Sequence, residues 1–207
     1  MRILLSIVAV GMLLTACCRS SETVEPPTPE VYTPYGDPGY SEADGATKDD
    51  AQLAPLLDLG YDAAAIQADE ASYRRLITLS KYLGHEREAW QKPAEVIAAL
   101  GVQPGQTVAD VGSASGYFAW YLSEAVGTDG QVLAVDVDAV ACDFIERRLK
   151  HQPPPHGNVR VVHSRVDRVA LGLESIDHAL LVDAEFFVIR DDNTRGCLRS
   201  LFAAMKP

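Results

Sequence analysis

A glycine-bearing turn and two acidic residues form the part of this sequence best suited to chemistry. The turn runs from Asp110 through Gly112 to Gly116, and Asp136 lies 20 positions after Gly116. Glycines let backbone N–H groups approach a ligand closely, and a carboxylate at this spacing can accept hydrogen bonds from ribose hydroxyls. The pattern therefore predicts a site for a cofactor that contains a nucleoside.

The elements that position this turn follow from the hydrophobic pattern around it. A short apolar strand begins at Val108, a helix is predicted over 117–126, and a second strand ends at Asp136. Four further elements are predicted, namely a helix over 140–150, strands over 159–163 and 176–183, and a last helix over 194–205. This order predicts an α/β fold with a parallel sheet, helices on both faces and right-handed crossovers.

Composition divides the chain into four regions. Residues 1–17 are predicted to be a signal peptide, and residues 18–50 a disordered linker, because they are rich in proline and acidic residues. Residues 51–100 are predicted to be N-terminal helices, with one helical stretch over 51–83 and a second over 88–100 that Pro93 interrupts. Residues 101–207 are predicted to hold the Rossmann-like domain.

The N-terminus indicates export. Arg2 precedes an apolar run over 3–14, which ends in Leu14-Thr15-Ala16-Cys17. This ending resembles the bacterial lipobox, in which the cysteine is lipidated and becomes the N-terminus after cleavage. An ordinary cleaved signal peptide and an uncleaved anchor stay open as alternatives. Because Cys18, and not an aspartate, follows Cys17, the expected location is the periplasmic face of the outer membrane, with lipid anchoring to the bacterial cell envelope.

The net charge of −11 is concentrated in one segment. Residues 21–70 hold twelve acidic residues and one basic residue, whereas residues 71–207 hold seventeen and fifteen. The predicted domain is thus nearly neutral and shows no basic stripe, which argues against nucleic acid as a partner. The histidines and cysteines lack the spacing of a metal site. Cys142 and Cys197 are predicted to be small core residues, and a disulfide between them stays open.

The stretch from about residue 82 to 207 resembles the class I S-adenosylmethionine-dependent methyltransferases. The resemblance rests on Trp90-Gln91-Lys92-Pro93, on Asp110-x-Gly112-x-x-x-Gly116 and on the strand end Val135-Asp136. It implies that the turn contacts the amino-acid part of S-adenosylmethionine, that Asp136 binds the ribose and that Asp183 faces the pocket. The expected cofactor-binding residues are Asp110, Gly112, Ser113, Ala114, Gly116, Asp136 and Asp183.

Two positions depart from the family pattern. Ala114 stands where relatives usually have a third glycine, and its methyl group is expected to narrow the space between backbone and ligand. Arg165 lies in the stretch that usually holds an acid for the adenine amino group, and a guanidinium cannot accept that hydrogen bond. Asp167 is the candidate substitute.

The end of the sequence is a third departure. The family fold has the strand order 3-2-1-4-5-7-6, but the sequence reaches Pro207 after about four predicted strands. Strand four is then expected to be an exposed edge that a partner would have to cover. A truncated gene product, a fragment and a chain completed by a partner stay open, and truncation or degeneration is favoured.

Two hypotheses of function follow. The first is an S-adenosylmethionine-dependent methyltransferase, or a truncated descendant of one, that acts on an unknown small acceptor. No general base is expected, because the sulfonium carbon is already electrophilic and the protein has mainly to align the reactants. The second hypothesis is a non-catalytic envelope lipoprotein that uses the fold for binding.

Overall fold

The computed structural model describes residues 50–84, 86–184 and 192–207, so the predicted signal peptide, Cys17 and most of the linker lie outside the described residues. Among the described residues five helices precede the first strand, strands and helices then alternate up to the third strand, and the fourth strand follows the third without a helix between them. The elements in chain order are α1 (Asp50–Asp58), α2 (Ala63–Ala68), α3 (Glu70–Lys81), α4 (Glu86–Gln91), α5 (Pro93–Leu100), β1 (Thr107–Val111), α6 (Tyr117–Val126), β2 (Gln131–Asp136), α7 (Ala139–His151), β3 (Val159–His163), β4 (His178–Leu180) and α8 (Asp192–Ala204).

The four strands form one parallel sheet in the order β3-β2-β1-β4, which confirms the predicted α/β architecture. The chain moves outward from β1 to β2 and β3, and then returns to the other side of β1 to add β4. Strand order therefore reverses between β1 and β4. In open α/β sheets the crevice beyond the carboxyl ends of the strands at such a reversal is where ligands bind.

Apolar side chains alternate between the two faces of the sheet and bury helices on each. One face packs Val108, Val132 and Leu180 against α5 and α6. The other face packs Ala109 and Leu133 against a helix face of α8 that includes Cys197 and Leu201. Two-sided burial explains why the central strands are almost uniformly apolar. Both faces carry helices, as predicted.

The helical stretch predicted over 51–83 consists of three helices in the structure. Gly60 adopts a positive φ of 74° after α1, which ends the first helix. Asp62 and Asp69 then accept hydrogen bonds from the first-turn amides of α2 and α3, so each begins a new helix. The apolar side chains of these helices form a separate cluster, which packs against Phe144 of α7. An ion pair between Arg75 and Asp138 joins α3 to the start of α7.

The fourth strand is shorter than the predicted 176–183. Only His178–Leu180 pairs with β1, because Ile176 instead forms a parallel bridge with Met205 and Asp183 adopts a positive φ of 55°. Lys206 donates its backbone N–H to the carbonyl of Ile176 and its ammonium to Asp177. The chain after α8 thus contacts the outer side of the segment that leads into β4.

The cysteine side chains of the described residues lie in the core. Cys142 and Cys197 are free, buried thiols, which confirms them as small core residues. Burial raises the pKa of the Cys142 thiol to about 11. Among the described residues no helix is long and apolar enough to cross a membrane.

Candidate functional site

The glycine turn after β1 is held by hydrogen bonds to β2. The N–H groups of Gly112 and Ser113 both donate to the carbonyl of Val135, at 2.9 and 3.1 Å. Gly112 and Gly116 have φ angles of 78° and 73°, in the left-handed region that favours glycine. A Cβ atom on Gly112 would also lie 2.5 Å from the Cβ of Ala184. Both conformation and space therefore require glycine at position 112.

Asp136 is tied to this turn at the end of β2. One carboxylate oxygen accepts the N–H of Ala114 at 2.8 Å, and the other accepts the N–H of Asp138 at 2.9 Å. The residue is only 8% exposed. Each carboxylate oxygen has two lone pairs, so the two backbone bonds leave acceptor capacity for a pair of hydroxyl groups. The side chain expected to bind ribose is thus held rigidly beside the turn.

Ala114 adopts a φ of 48°, which is rare for a residue with a side chain. The sequence analysis expects its methyl group to narrow the gap between backbone and ligand. In the structure this side chain packs against the apolar cluster of the N-terminal helices. The methyl group therefore contributes to the packing of the turn against that cluster.

Asp110 lies at the end of β1, beneath the turn, and is 3% exposed. Its carboxylate accepts a hydrogen bond from the Ser113 hydroxyl at 2.7 Å. Burial raises the pKa of Asp110 to about 6, and the nearby charge of Asp136 adds to this rise. The structure thus brings Asp110, Ser113, Ala114, Asp136 and the turn glycines together, as the sequence analysis expects.

A buried arginine supports the turn from α7, and sequence reasoning missed it. The Arg148 guanidinium donates to the carbonyl of Ser115 at 2.8 Å and lies 3.7 Å from the centre of the Trp120 ring. Burial lowers its pKa to about 10. A single arginine in an amphipathic helix carries no signal that distinguishes this role from a solvated one.

A second arginine, on α4, lies against the ring of Tyr117, the residue directly after the glycine turn. Arg87 donates to the carbonyl of Tyr82 at 2.8 Å and to the side-chain oxygen of Gln91 at 2.9 Å. Gln91 is 1% exposed and donates in turn to the Asp183 carboxylate at 3.2 Å. Asp183 itself lies three residues beyond β4 and is exposed. Through Gln91 the structure links it to α4 and not directly to the turn.

Sequence reasoning assigned neither Arg87 nor Gln91 to the site. Gln91 had a signal, because it lies in the Trp90–Pro93 motif that carries the family resemblance. Trp90 of the same motif is 53% exposed, so it is not a core aromatic. Arg87 is the third residue before Trp90 and had no signal of its own.

A depression of about 430 Å³ lies directly after Asp136 in the chain, between the loops that follow β2 and β3. Val137 and Val166 line it with exposed side chains, at 48% and 65%. Arg165 and Asp167 also line it, and they form an ion pair with an N···O distance of 2.9 Å. The hydrogen bond from Arg165 lowers the pKa of Asp167. The carboxylate proposed to replace the adenine-binding acid therefore already has a cationic partner.

No metal site accompanies this arrangement in the part of the chain that the structure describes, where no three acidic, histidine or cysteine side chains cluster to hold an ion.

Comparisons with known proteins agree with the fold. Residues 108–207 match the family model of a methyltransferase domain. Over 108 residues the chain is 35% identical to the ribosomal RNA small subunit methyltransferase H of Solidesulfovibrio magneticus, which is 49% of this chain and 32% of that protein.

The first solved structure gives the same result. A SAM-dependent methyltransferase from Aquifex aeolicus is 25% identical, with a TM-score of 0.57 over 63% of this chain and 66% of that one. A methyltransferase from Thiobacillus denitrificans, solved with S-adenosyl-L-homocysteine, is 23% identical, with a TM-score of 0.44 over 56% and 44% of the two chains. The chain thus spans about a third of the curated relative and 66% of the first structure. The sheet and its flanking helices have the class I methyltransferase fold.

Proposed function

We propose that this class I methyltransferase fold binds S-adenosylmethionine and transfers its methyl group to a small acceptor. The observation that carries the proposal is the Asp136 carboxylate, which two backbone amides hold at the end of β2 beside the glycine turn. Its unused lone pairs suit the two hydroxyls of a ribose. The methyltransferase family match over residues 108–207 supports the same proposal and favours it over the non-catalytic alternative.

The remaining parts of the cofactor fit the surfaces on either side of Asp136. The depression lined by Val137 and Val166 offers two apolar side chains to a planar adenine ring. We assign the amino-acid part to the surface beside Asp110, because strand order reverses there and open α/β sheets bind ligands at such a reversal. Bound there, S-adenosylmethionine supplies a methyl group on a positively charged sulfur.

The work of the chain in this reaction is positioning. Asp136 and the amides of the turn orient the nucleoside, while Arg148 and Ser113 hold the turn and Asp110 in place. Alignment of two reactants removes much of the entropic barrier of a bimolecular step.

Calorimetric titration of the full chain with S-adenosylhomocysteine tests the proposal. We expect binding by the wild type and a loss of about 10- to 100-fold in Asp136→Ala, because hydrogen bonds to a charged group contribute about 1.5–3 kcal/mol. Asp129→Ala is the matched control, since Asp129 is an exposed acid in the turn before β2. Absence of heat with the wild type at millimolar ligand would refute the proposal. Equal affinity of both variants would place the ribose elsewhere.

We also propose that Cys17 is lipidated and anchors the chain to the periplasmic face of the bacterial outer membrane. The support is the sequence Leu14-Thr15-Ala16-Cys17 at the end of the apolar run. In a bacterial host, Cys17→Ala is expected to abolish incorporation of labelled fatty acid and to release the chain from membranes. Cys18→Ala is the matched control and is expected to stay anchored. Membrane retention of Cys17→Ala would indicate an uncleaved helix.

A further inference from the structure

Arg87 is a partly buried cation that lacks an anionic partner in the described chain. Its two terminal nitrogens donate to a backbone carbonyl and to the amide oxygen of Gln91, both uncharged acceptors. Its Nε atom is buried and has no hydrogen-bond partner among the described residues. A guanidinium removed from water without a carboxylate is unfavourable, and burial accordingly lowers its pKa. The described residues therefore leave the Arg87 guanidinium able to bind an anionic group that they do not themselves supply.

The position of Arg87 is fixed by its surroundings. The guanidinium lies 4.4 Å from the centre of the Tyr117 ring, at the first residue of α6, directly after the glycine turn. Tyr82 and Trp90 flank it at 5.3 and 5.8 Å. Aromatic faces hold a guanidinium in one plane. The side chain is therefore ordered before a ligand binds, and binding loses little further side-chain entropy.

Two carboxylates complete the electrostatics around Arg87. The charges of Asp183 and Asp110 both act on the guanidinium, although neither forms an ion pair with it. Gln91 lies between Arg87 and Asp183 and hydrogen-bonds to each, which keeps the positive and negative groups apart. A cation and two acids separated in this way match a zwitterion that carries one carboxylate and one ammonium group.

We propose that Arg87 binds the α-carboxylate of the amino-acid part of the cofactor and makes that carboxylate a requirement for tight binding. This inference rests on the proposed function, because it assigns one residue to one group of S-adenosylmethionine. The unpaired Nε–H and a terminal N–H provide the two parallel donors that a carboxylate accepts from arginine. The acids near Arg87 lie where the ammonium group of the same zwitterion would be placed. Lysine could not reproduce the planar pair of donors.

The test compares S-adenosylmethionine with decarboxylated S-adenosylmethionine, since the two differ only in this carboxylate. Affinities are measured by calorimetry on the full chain for the wild type, Arg87→Met and Arg87→Lys. We expect Arg87→Met to bind S-adenosylmethionine about 10- to 100-fold more weakly, with the affinity for the decarboxylated compound unchanged within about twofold. Arg87→Lys is expected to recover only part of the loss. Arg74→Met is the matched control, because Arg74 is an exposed arginine of α3 paired with Glu70.

Each outcome has a separate meaning. Equal losses for both compounds in Arg87→Met would overturn the assignment and indicate a structural role for Arg87. Unchanged affinity for S-adenosylmethionine in Arg87→Met would overturn it as well. If the wild type binds neither compound, the proposed function fails, and the assignment of Arg87 fails with it. If the wild type binds both compounds equally, only the assignment of Arg87 is wrong.

Discussion

Replacement of Asp110 by asparagine is expected to change how stability depends on pH. In the folded chain burial raises the pKa of this carboxyl from 3.8 to about 6. As pH rises from about 4 to 6 the unfolded chain releases this proton and the folded chain retains it, so wild-type stability falls. Above the pKa of Asp110 in the folded chain, the wild type carries the full free-energy cost of the buried, ionised carboxylate. At 1.36 kcal/mol for each pH unit, the difference between the two pKa values corresponds to about 3 kcal/mol.

Asparagine has the same shape, accepts the Ser113 hydroxyl as Asp110 does, and does not titrate. Any hydrogen bond that the buried amide leaves unmade costs the same free energy at each pH, because the amide does not titrate. The informative quantity is therefore the change with pH in the stability difference between variant and wild type. Because Asp110 in the unfolded chain is already partly ionised at pH 4, we expect the variant to gain about 2.5 kcal/mol relative to the wild type between pH 4 and pH 8.

Urea denaturation of both proteins, followed by circular dichroism at half-unit pH steps, measures this quantity. Asp129→Asn is the control, because Asp129 is exposed and its removal should leave the pH profile parallel to that of the wild type. If the Asp110→Asn profile is parallel to the wild-type profile within about 0.5 kcal/mol, the carboxyl titrates alike in both states and the reasoning from burial is refuted.

The remaining predictions concern the glycine turn. Gly112→Ala is expected to destabilise the chain by about 2–4 kcal/mol, since the new Cβ clashes with Ala184 and the left-handed backbone is strained. Gly105→Ala is the matched control, because Gly105 has a φ of 85° but open space around it, and should cost only about 1–2 kcal/mol. Ala114→Gly should change stability by less than about 1 kcal/mol, because the relief of a φ of 48° is offset by greater freedom of the unfolded chain and by lost packing. Equal losses for the two glycine variants in urea denaturation, or a loss well above 1 kcal/mol in Ala114→Gly, would contradict these assignments.

The elements that carry local sequence signals were the ones predicted most accurately. The bounds of α6 and β3 agree with the predicted ones, because a glycine or proline marks the approach to each of them and apolar periodicity defines the interior. The stretch predicted to be helical over 51–83 is helical over most of its length, but Gly60, Asp62 and Asp69 carry the stop and cap signals that divide it into three helices. The predicted length of the fourth strand was wrong. Its apolar run continues beyond Leu180, but its pairing with β1 does not.

By itself the sequence determined the alternation of strands and helices, the glycine turn and the acid at the end of β2, because each depends on residues close together in the chain. Only the tertiary structure decided that Ala114 and Asp138 hold Asp136, that Arg148 supports the turn, and that α4 contacts Tyr117 and Asp183. The contacts among these that link two different elements join residues 22 to 92 positions apart in the chain. Local periodicity records which face of an element is buried, but not which polar side chain of a distant element meets it. For that reason Arg87 has no distinguishing signal in the sequence. It acquires a candidate role only because the fold places it beside Tyr117 with an Nε atom that no described residue hydrogen-bonds.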